Sequence, residues 1–249
     1  MTDGITGTTA IVTGASRGFG RAITTALAAA GAQVVGVARS QAQLEELHAS
    51  IGGAFTPVAA DAADPVTAGQ LIDRHRPRVL VLNAGAPPLS RPVHLHTWES
   101  FSRNWEVDVR QAFGWIREAL LTPLPPGSTV ITLSSGAALR GSPLSGGYAG
   151  AKATVRFITA YAAAESERAG LGIRFVSVLP QLTPVTSLGS AAVAAYAARQ
   201  GVDADTYLRS AGPALTAEQV GNAVTSLAEG SAGGHEAYLL TAAGLAPAP

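Results

Sequence analysis

Short runs of β-branched and apolar residues alternate along this chain with longer alanine-rich segments, and that alternation restricts the fold more than any other feature. It is the pattern of repeated βα units, in which each helix carries the chain back so that the next strand lies parallel to the last. Strands are expected near 8–13, 33–38, 55–59, 79–83, 129–133, 173–178 and 237–240. Several are apolar without polar alternation, as suits strands covered on both faces. Helices are expected over 18–30, 41–50, 65–74, 97–121, 148–169 and 216–228. The first spaces Ala22, Ile23 and Leu27 at helical intervals, and Gly31 supplies its C-cap. Pro123, Pro125, Pro126 and Gly127 break the chain before the fifth strand. There is no internal repeat and no dividing linker. Residues 1–249 therefore read as a single α/β domain, a doubly wound, mainly parallel seven-stranded sheet with helices on both faces. The segment 181–213 stands apart: it opens on Gln181-Leu182-Thr183-Pro184 after Pro180, runs through small residues and ends at Gly212-Pro213. It follows the carboxyl end of a strand, where open α/β sheets bind ligands, and is expected to be a substrate lid.

Composition removes several classes of function. Hydrophobic residues make up 47% of the chain and charged residues 14%, enough apolar surface to bury a core. Lysine plus arginine (17) balances aspartate plus glutamate (17) with no basic run, which gives no electrostatic reason to expect nucleic acid or an anionic membrane as partner. There is no cysteine, so thiolate catalysis and cysteine-ligated metals are excluded. No stretch approaches the ~20 apolar residues that span a bilayer. The opening Met1-Thr2-Asp3-Gly4 lacks the basic-then-apolar pattern of a signal peptide, and a cytoplasmic location is expected.

The first strand runs into Thr13-Gly14-Ala15-Ser16-Arg17-Gly18-Phe19-Gly20 and then a helix. Glycines let a tight turn approach a pyrophosphate, and the helix N-terminus offers it unpaired N–H groups and partial positive charge. The position of this turn, between the first strand and first helix of a βα series, points to a dinucleotide. Charge then selects which one. The second strand ends Val37-Ala38-Arg39-Ser40, without the carboxylate that bonds the ribose hydroxyls in NAD sites. Arg39 and Arg17 are instead placed to meet an adenosine 2′-phosphate, so NADP(H) is the expected cofactor.

With these motifs in view the chain resembles the short-chain dehydrogenase/reductase family over nearly its whole length. Gly14, Ser16, Arg17, Gly18, Phe19 and Gly20 fall in the family's glycine motif, Asp61 at its adenine-contacting acidic position, and Asn83-Ala84-Gly85 at the motif closing the fourth strand. Ser134-Ser135 closes the fifth strand, and Tyr148-Ala149-Gly150-Ala151-Lys152 matches Tyr-x-x-x-Lys. The family's serine-to-tyrosine spacing assigns Ser135 to the catalytic position. The resemblance implies a Rossmann fold and hydride transfer between nicotinamide and a carbonyl or alcohol. Tyr148 would exchange the proton. A free phenol titrates near about 10, and a neighbouring ammonium favours the phenolate. Lys152, four residues on, lies on the same helix face and by resemblance also holds the nicotinamide ribose. Ser135 would donate to the substrate oxygen.

Two positions depart from the family. Val107-Asp108-Val109 stands where a Val-Asn-Val-like stretch supports a water-mediated proton relay, which puts Asp108 at the asparagine's catalytic position. Pro180-Gln181 replaces Pro-Gly after the sixth strand, with Pro180 and Thr183 assigned to the cofactor and Thr186 a second candidate for its amide. These departures leave open an alternative, a catalytically weak or inactive NADP(H)-binding sensor of the same fold. His94 and His96 sit in a proline-flanked loop without further clustered ligands, so no metal is expected. Trp98, Trp105 and Trp115 fall on the long helix and read as packing or subunit-contact residues. The resemblance implies a homodimer or homotetramer built through the helices carrying Asp108 and Tyr148. The substrate is expected to be a small carbonyl or alcohol, apolar or amphipathic, since the lid carries few charges.

Overall fold

The computed structural model describes residues 4–249; Met1, Thr2 and Asp3, on which the reading of the N-terminus partly rests, lie outside the described residues. The elements run β1 (Thr9–Thr13), α1 (Gly18–Ala29), β2 (Gln33–Ala38), α2 (Gln41–Ile51), β3 (Phe55–Ala59), α3 (Pro65–His75), β4 (Val79–Leu82), α4 (Trp98–Asn104) and α5 (Arg110–Leu121). They continue with β5 (Thr129–Leu133), α6 (Ala137–Arg140), α7 (Gly147–Arg168), β6 (Arg174–Pro180), α8 (Ser187–Gln200), α9 (Ala204–Ala211), α10 (Ala217–Ala228), β7 (Ala237–Thr241) and β8 (Gly244–Pro247). The sheet order is β3-β2-β1-β4-β5-β6-β7-β8, parallel through β7.

The non-alternating strands are explained by two cores. Ala10 and Val12 of β1, with Val79 and Val81 of β4, pack into one cluster with Ile23 and Leu27 of α1, Leu44 of α2 and Val224 of α10. Ile11, Leu80 and Leu82 point the other way, onto Ile72 of α3, Trp115 of α5 and Val155 of α7. Successive strand side chains face opposite sides, so a strand covered on both must be apolar throughout. Each buried aliphatic side chain contributes roughly 1.5–3 kcal/mol.

Three local differences from the sequence reading have physical causes. The eighth strand, β8, joins antiparallel to β7, pairing Leu240 with Leu245 and Tyr238 with Pro247. It is short and contains proline, which an edge strand tolerates and a sequence pattern hides. The helix expected over 97–121 is interrupted by a wide π-helical turn at Trp105–Val109. The segment 181–213 holds α8 and α9, capped by Thr186 and Asp203, whose side chains accept from Gly189 N and Thr206 N. The alanines of α8 form a helix surface without strong amphipathic contrast. Of the tryptophans, Trp115 is buried and donates to Ala62 O at 2.9 Å, whereas Trp98 is 78% exposed.

Candidate active site

The strand order reverses between β1 and β4, so the loops leaving them diverge and open a crevice at the carboxyl edge of the sheet. Thr13 stitches the two loops together. Its Oγ1 accepts from Asn83 N at 2.9 Å and Ala84 N at 3.1 Å, while Asn83 Nδ2 donates back to Thr13 O at 3.1 Å and Gly14 O at 3.2 Å. The turn is so tight that a Cβ on Gly20 would lie 2.0 Å from Gly14 O. Beyond it, α1 has Arg17 at its N-cap position, with no side-chain cap and no acidic residue in its first turn. Its first N–H groups are therefore left for an anion.

Arg17, Arg39, Ser40 and Gln43 line the outer end of the same crevice. Ser16 Oγ donates to Gln43 Oε1 at 3.0 Å, tying the glycine turn to α2. Among the described residues neither Arg17 nor Arg39 is in a salt bridge, whereas Arg21 is paired with Glu46 at 2.9 Å. Asp61 also lines the crevice and accepts from Ala63 N at 2.9 Å. Gln43 was not anticipated, because nothing in its local sequence marks it. Only the packing of α2 against the turn brings it there.

At the inner end, α7 carries Tyr148 and Lys152 one turn apart, with Lys152 Nζ 5.8 Å from the Tyr148 ring centre. Lys152 is 6% exposed because its position falls on the helix's buried face, between Ala151 and Val155. Its ammonium donates to Leu133 O at 3.0 Å and pairs with Asp108 Oδ2 at 3.2 Å. Burial works against that charge, but the nearby Asp108 and Tyr148 charges outweigh it and hold the Lys152 pKa above the ordinary lysine value. Asp108 is 1% exposed; its Oδ1 accepts from Ala86 N at 2.7 Å, and a Cβ on Gly85 would come within 2.9 Å of Oδ2. Asn104 Nδ2 donates to Ala86 O at 2.7 Å, so the π-helical turn and α4 grip both the N–H and the C=O of one residue in the loop after β4. Gln111 Oε1 accepts from Thr13 Oγ1 at 3.2 Å, joining this cluster to the glycine turn. Asn104 and Gln111 were missed by sequence reasoning. The available signal was their spacing of four and three residues from Asp108, which places them on one face.

The two adjacent serines part ways. Ser134 Oγ donates to Lys152 O at 2.8 Å and is buried, while Ser135 Oγ accepts from Ala137 N at 3.1 Å and keeps its own proton. Gln181 and Thr183 bind across the base of the segment that follows: Gln181 Nε2 donates to Pro213 O at 2.9 Å, and Thr183 Oγ1 donates to Leu215 O at 2.6 Å. Pro180 O accepts from Gly136 N at 2.9 Å. Thr186 caps α8 and packs its methyl 3.6 Å from where a Gly18 Cβ would be. A single cavity of about 1170 Å³ collects Gly14, Arg17, Arg39, Asp61, Asn83, Asp108, Ser135, Tyr148, Lys152, Pro180 and Thr183 along one path. Among the described residues no group of three or more His, Asp or Glu side chains converges on a metal position.

A doubly wound sheet with a glycine turn at its switch point and a cavity running down to a tyrosine–lysine helix defines a class, the nicotinamide-dependent oxidoreductases. Residues 14–239 match a family model described as enoyl-(acyl carrier protein) reductase. L-xylulose reductase of Homo sapiens is 32% identical over 193 residues, covering 75% of this chain and 76% of that protein. L-xylulose reductase of Bos taurus is 31% identical over 184 residues, covering 73% and 75%. Among solved structures, 3-ketoacyl-(acyl-carrier-protein) reductase of Brucella melitensis complexed with NADH is 25% identical with a TM-score of 0.74, covering 90% of this chain and 91% of that one. Levodione reductase, at 21% identity and a TM-score of 0.84, shares the fold. This chain belongs to the short-chain dehydrogenase/reductase family.

Proposed function

We propose that the chain is an NADP(H)-dependent oxidoreductase that interconverts a small carbonyl compound and its alcohol, with Tyr148 as general acid in reduction and general base in oxidation. The observation that carries this reading is the Lys152 ammonium, held by Leu133 O and Asp108 beside Tyr148 at the inner end of the anion-binding crevice. An ammonium has three donors, of which one is given to Leu133 O and one faces Asp108 in the ion pair, so a donor remains for a ribose hydroxyl. The crevice suits a dinucleotide phosphate on its own terms: a turn in which a Cβ would collide, a helix N-terminus without a side-chain cap, and two arginines at the outer end that form no salt bridge among the described residues. NADPH, when bound, supplies the hydride.

The chain's residues then handle the oxygen. Ser135 donates to the substrate carbonyl and fixes its orientation. As the carbon accepts hydride, the C=O bond becomes C–O, and the Tyr148 hydroxyl transfers its proton to that oxygen. The Lys152 charge favours the phenolate left behind, which regains a proton from solvent. Oxidation runs these steps backwards. Asp108 keeps Lys152 charged in the dry interior and so acts on Tyr148 through it. The segment 181–213 serves as a lid over the substrate half of the cavity, its two ends joined by Gln181 and Thr183. The exposed aromatic pair Phe157 and Tyr161 on α7, stacked at 6.4 Å, fits a subunit contact in a homodimer or homotetramer.

The test is direct. NADPH oxidation followed against a panel of ketones and aldehydes, beside a calorimetric titration of NADPH and NADH, should give turnover that depends on Tyr148 and tighter binding of NADPH. Binding without turnover across a broad panel would instead identify a sensor.

A further inference from the structure

In the cavity that Tyr148 lines, three hydroxyls from two distant parts of the chain meet. Ser142 and Ser145 lie on the loop before α7, and Tyr196 comes from α8. Ser142 Oγ lies 3.0 Å from Ser145 Oγ, is hydrogen-bonded to the Tyr196 hydroxyl, and accepts from Leu144 N at 3.2 Å. A hydroxyl carries one proton and two lone pairs, so Ser142 is saturated: it accepts twice and donates once. One of its two hydroxyl neighbours must donate to it, and the other must accept from it. The three groups are thus a relay with one O–H left over, at either Ser145 or Tyr196.

The ends of that relay are unequal. A phenol is a stronger donor than an aliphatic hydroxyl, so Tyr196 gives its proton to Ser142, Ser142 gives its own to Ser145, and the spare O–H belongs to Ser145. Tyr196 is held for this task by stacking on Tyr207 of α9, ring centres 6.1 Å apart and 10° from parallel. Burial, with Tyr196 beside it, pushes the Tyr207 pKa up and keeps that neighbour neutral. Ser145 is 8% exposed, and its carbonyl accepts the N–H of Tyr148 at 3.0 Å, so the spare donor is borne by the turn that delivers the proton-transferring residue. Ionic groups are scarce here: Asp108 and Lys152 are spent on each other, and Arg140 is exposed at the rim.

We propose that Ser142, Ser145 and Tyr196 read an oxygen on the carbon next to the reacting carbonyl, which makes neutral α-hydroxy ketones, and the diols they yield, the substrate class. This rests on the reductase reading above and narrows it. A ligand oxygen accepts the spare Ser145 proton, whereas a methyl group in the same place leaves a dry donor without a partner.

The test compares 1-hydroxy-2-butanone with 3-pentanone, which differ by a hydroxyl in place of a methyl. The wild-type enzyme should favour the hydroxy ketone by about 10-fold or more in kcat/KM, the scale of one hydrogen bond plus an unmet donor. Ser145→Ala should bring that ratio close to unity, and Ser145→Thr should restore most of it. Should Ser145→Ala not fold, Tyr196→Phe serves in its place. It removes the group that orients the relay and should lower the ratio several-fold. Tyr148-dependent turnover of both ketones at equal efficiency would overturn the relay and leave the reductase reading intact. Turnover of neither, nor of any other ketone, would remove both. Preference for the anionic 2-oxobutanoate over both would pass recognition to Arg140 and also overturn the relay.

Discussion

Asp108 Oδ2 stands 3.2 Å from Lys152 Nζ with both side chains buried, a direct ion pair where the family pattern has an uncharged asparagine. The pair is coupled to the stability of the fold through Lys152, whose pKa is raised despite its burial because Asp108 and Tyr148 favour the charge. A raised basic pKa contributes stability that is complete below the unfolded lysine value and is lost as pH climbs through the folded one. Asp108→Asn keeps an acceptor for Ala86 N but leaves the ammonium uncompensated. It should cost about 3 kcal/mol, the lower end for breaking a buried pair, and move the alkaline loss of stability to lower pH. Urea unfolding of both proteins from about pH 7 to about pH 11 checks this; superimposable curves would mean the charge on Asp108 does nothing for the fold.

Tyr148→Phe keeps the ring against Lys152 and removes only the proton. Turnover should fall by about 10²- to 10⁴-fold, the usual worth of general acid–base catalysis, with NADPH affinity little changed. Steady-state kinetics beside a titration separates the two, and a variant with near wild-type kcat would take Tyr148 out of the mechanism.

Arg17 and Arg39 should make NADPH bind more tightly than NADH. Each charge-assisted hydrogen bond is worth about 1.5–3 kcal/mol, so replacing both by alanine should collapse the preference. Calorimetry of the two cofactors on both proteins measures it. Equal affinities in the unmodified protein would contradict the assignment.

Gln181 fastens the start of the proposed lid to its end through Pro213 O. Gln181→Gly, which restores the family residue, should free α8 and α9 to open more often. Hydrogen exchange across 181–213 should speed up in the variant, KM should rise more than kcat falls, and NADPH should slow the exchange in both proteins. Exchange that is equally slow with and without NADPH would mean the segment does not move.

The stacked pair on α7 predicts assembly. Phe157 is 56% and Tyr161 65% exposed in the single chain. Phe157→Glu should shift sedimentation towards a monomer, whereas an unchanged sedimentation coefficient would locate the subunit contact elsewhere.

What the sequence alone determined was whatever depends on neighbours in the chain. The βα alternation yields the parallel sheet because strand periodicity and glycine turns are local properties. Gly14 to Gly20, and the four-residue spacing of Tyr148 and Lys152, could be read before any fold was drawn. The β8 strand escaped because four residues ending in proline carry too little pattern, α8 because an alanine-rich helix buries no sharply defined stripe, and α9 because eight residues span little more than two turns. Tertiary structure decided the relations between residues far apart in number. It brought Asp108 to Lys152 across 44 positions, Ser142 to Tyr196 across 54, and Gln181 to Pro213 across 32. The first is a charge pair in a closed interior, where a partner is obligatory, and the other two are hydrogen bonds between segments that only the fold makes neighbours. Which partner is available depends on how the layers pack, and no local pattern encodes it.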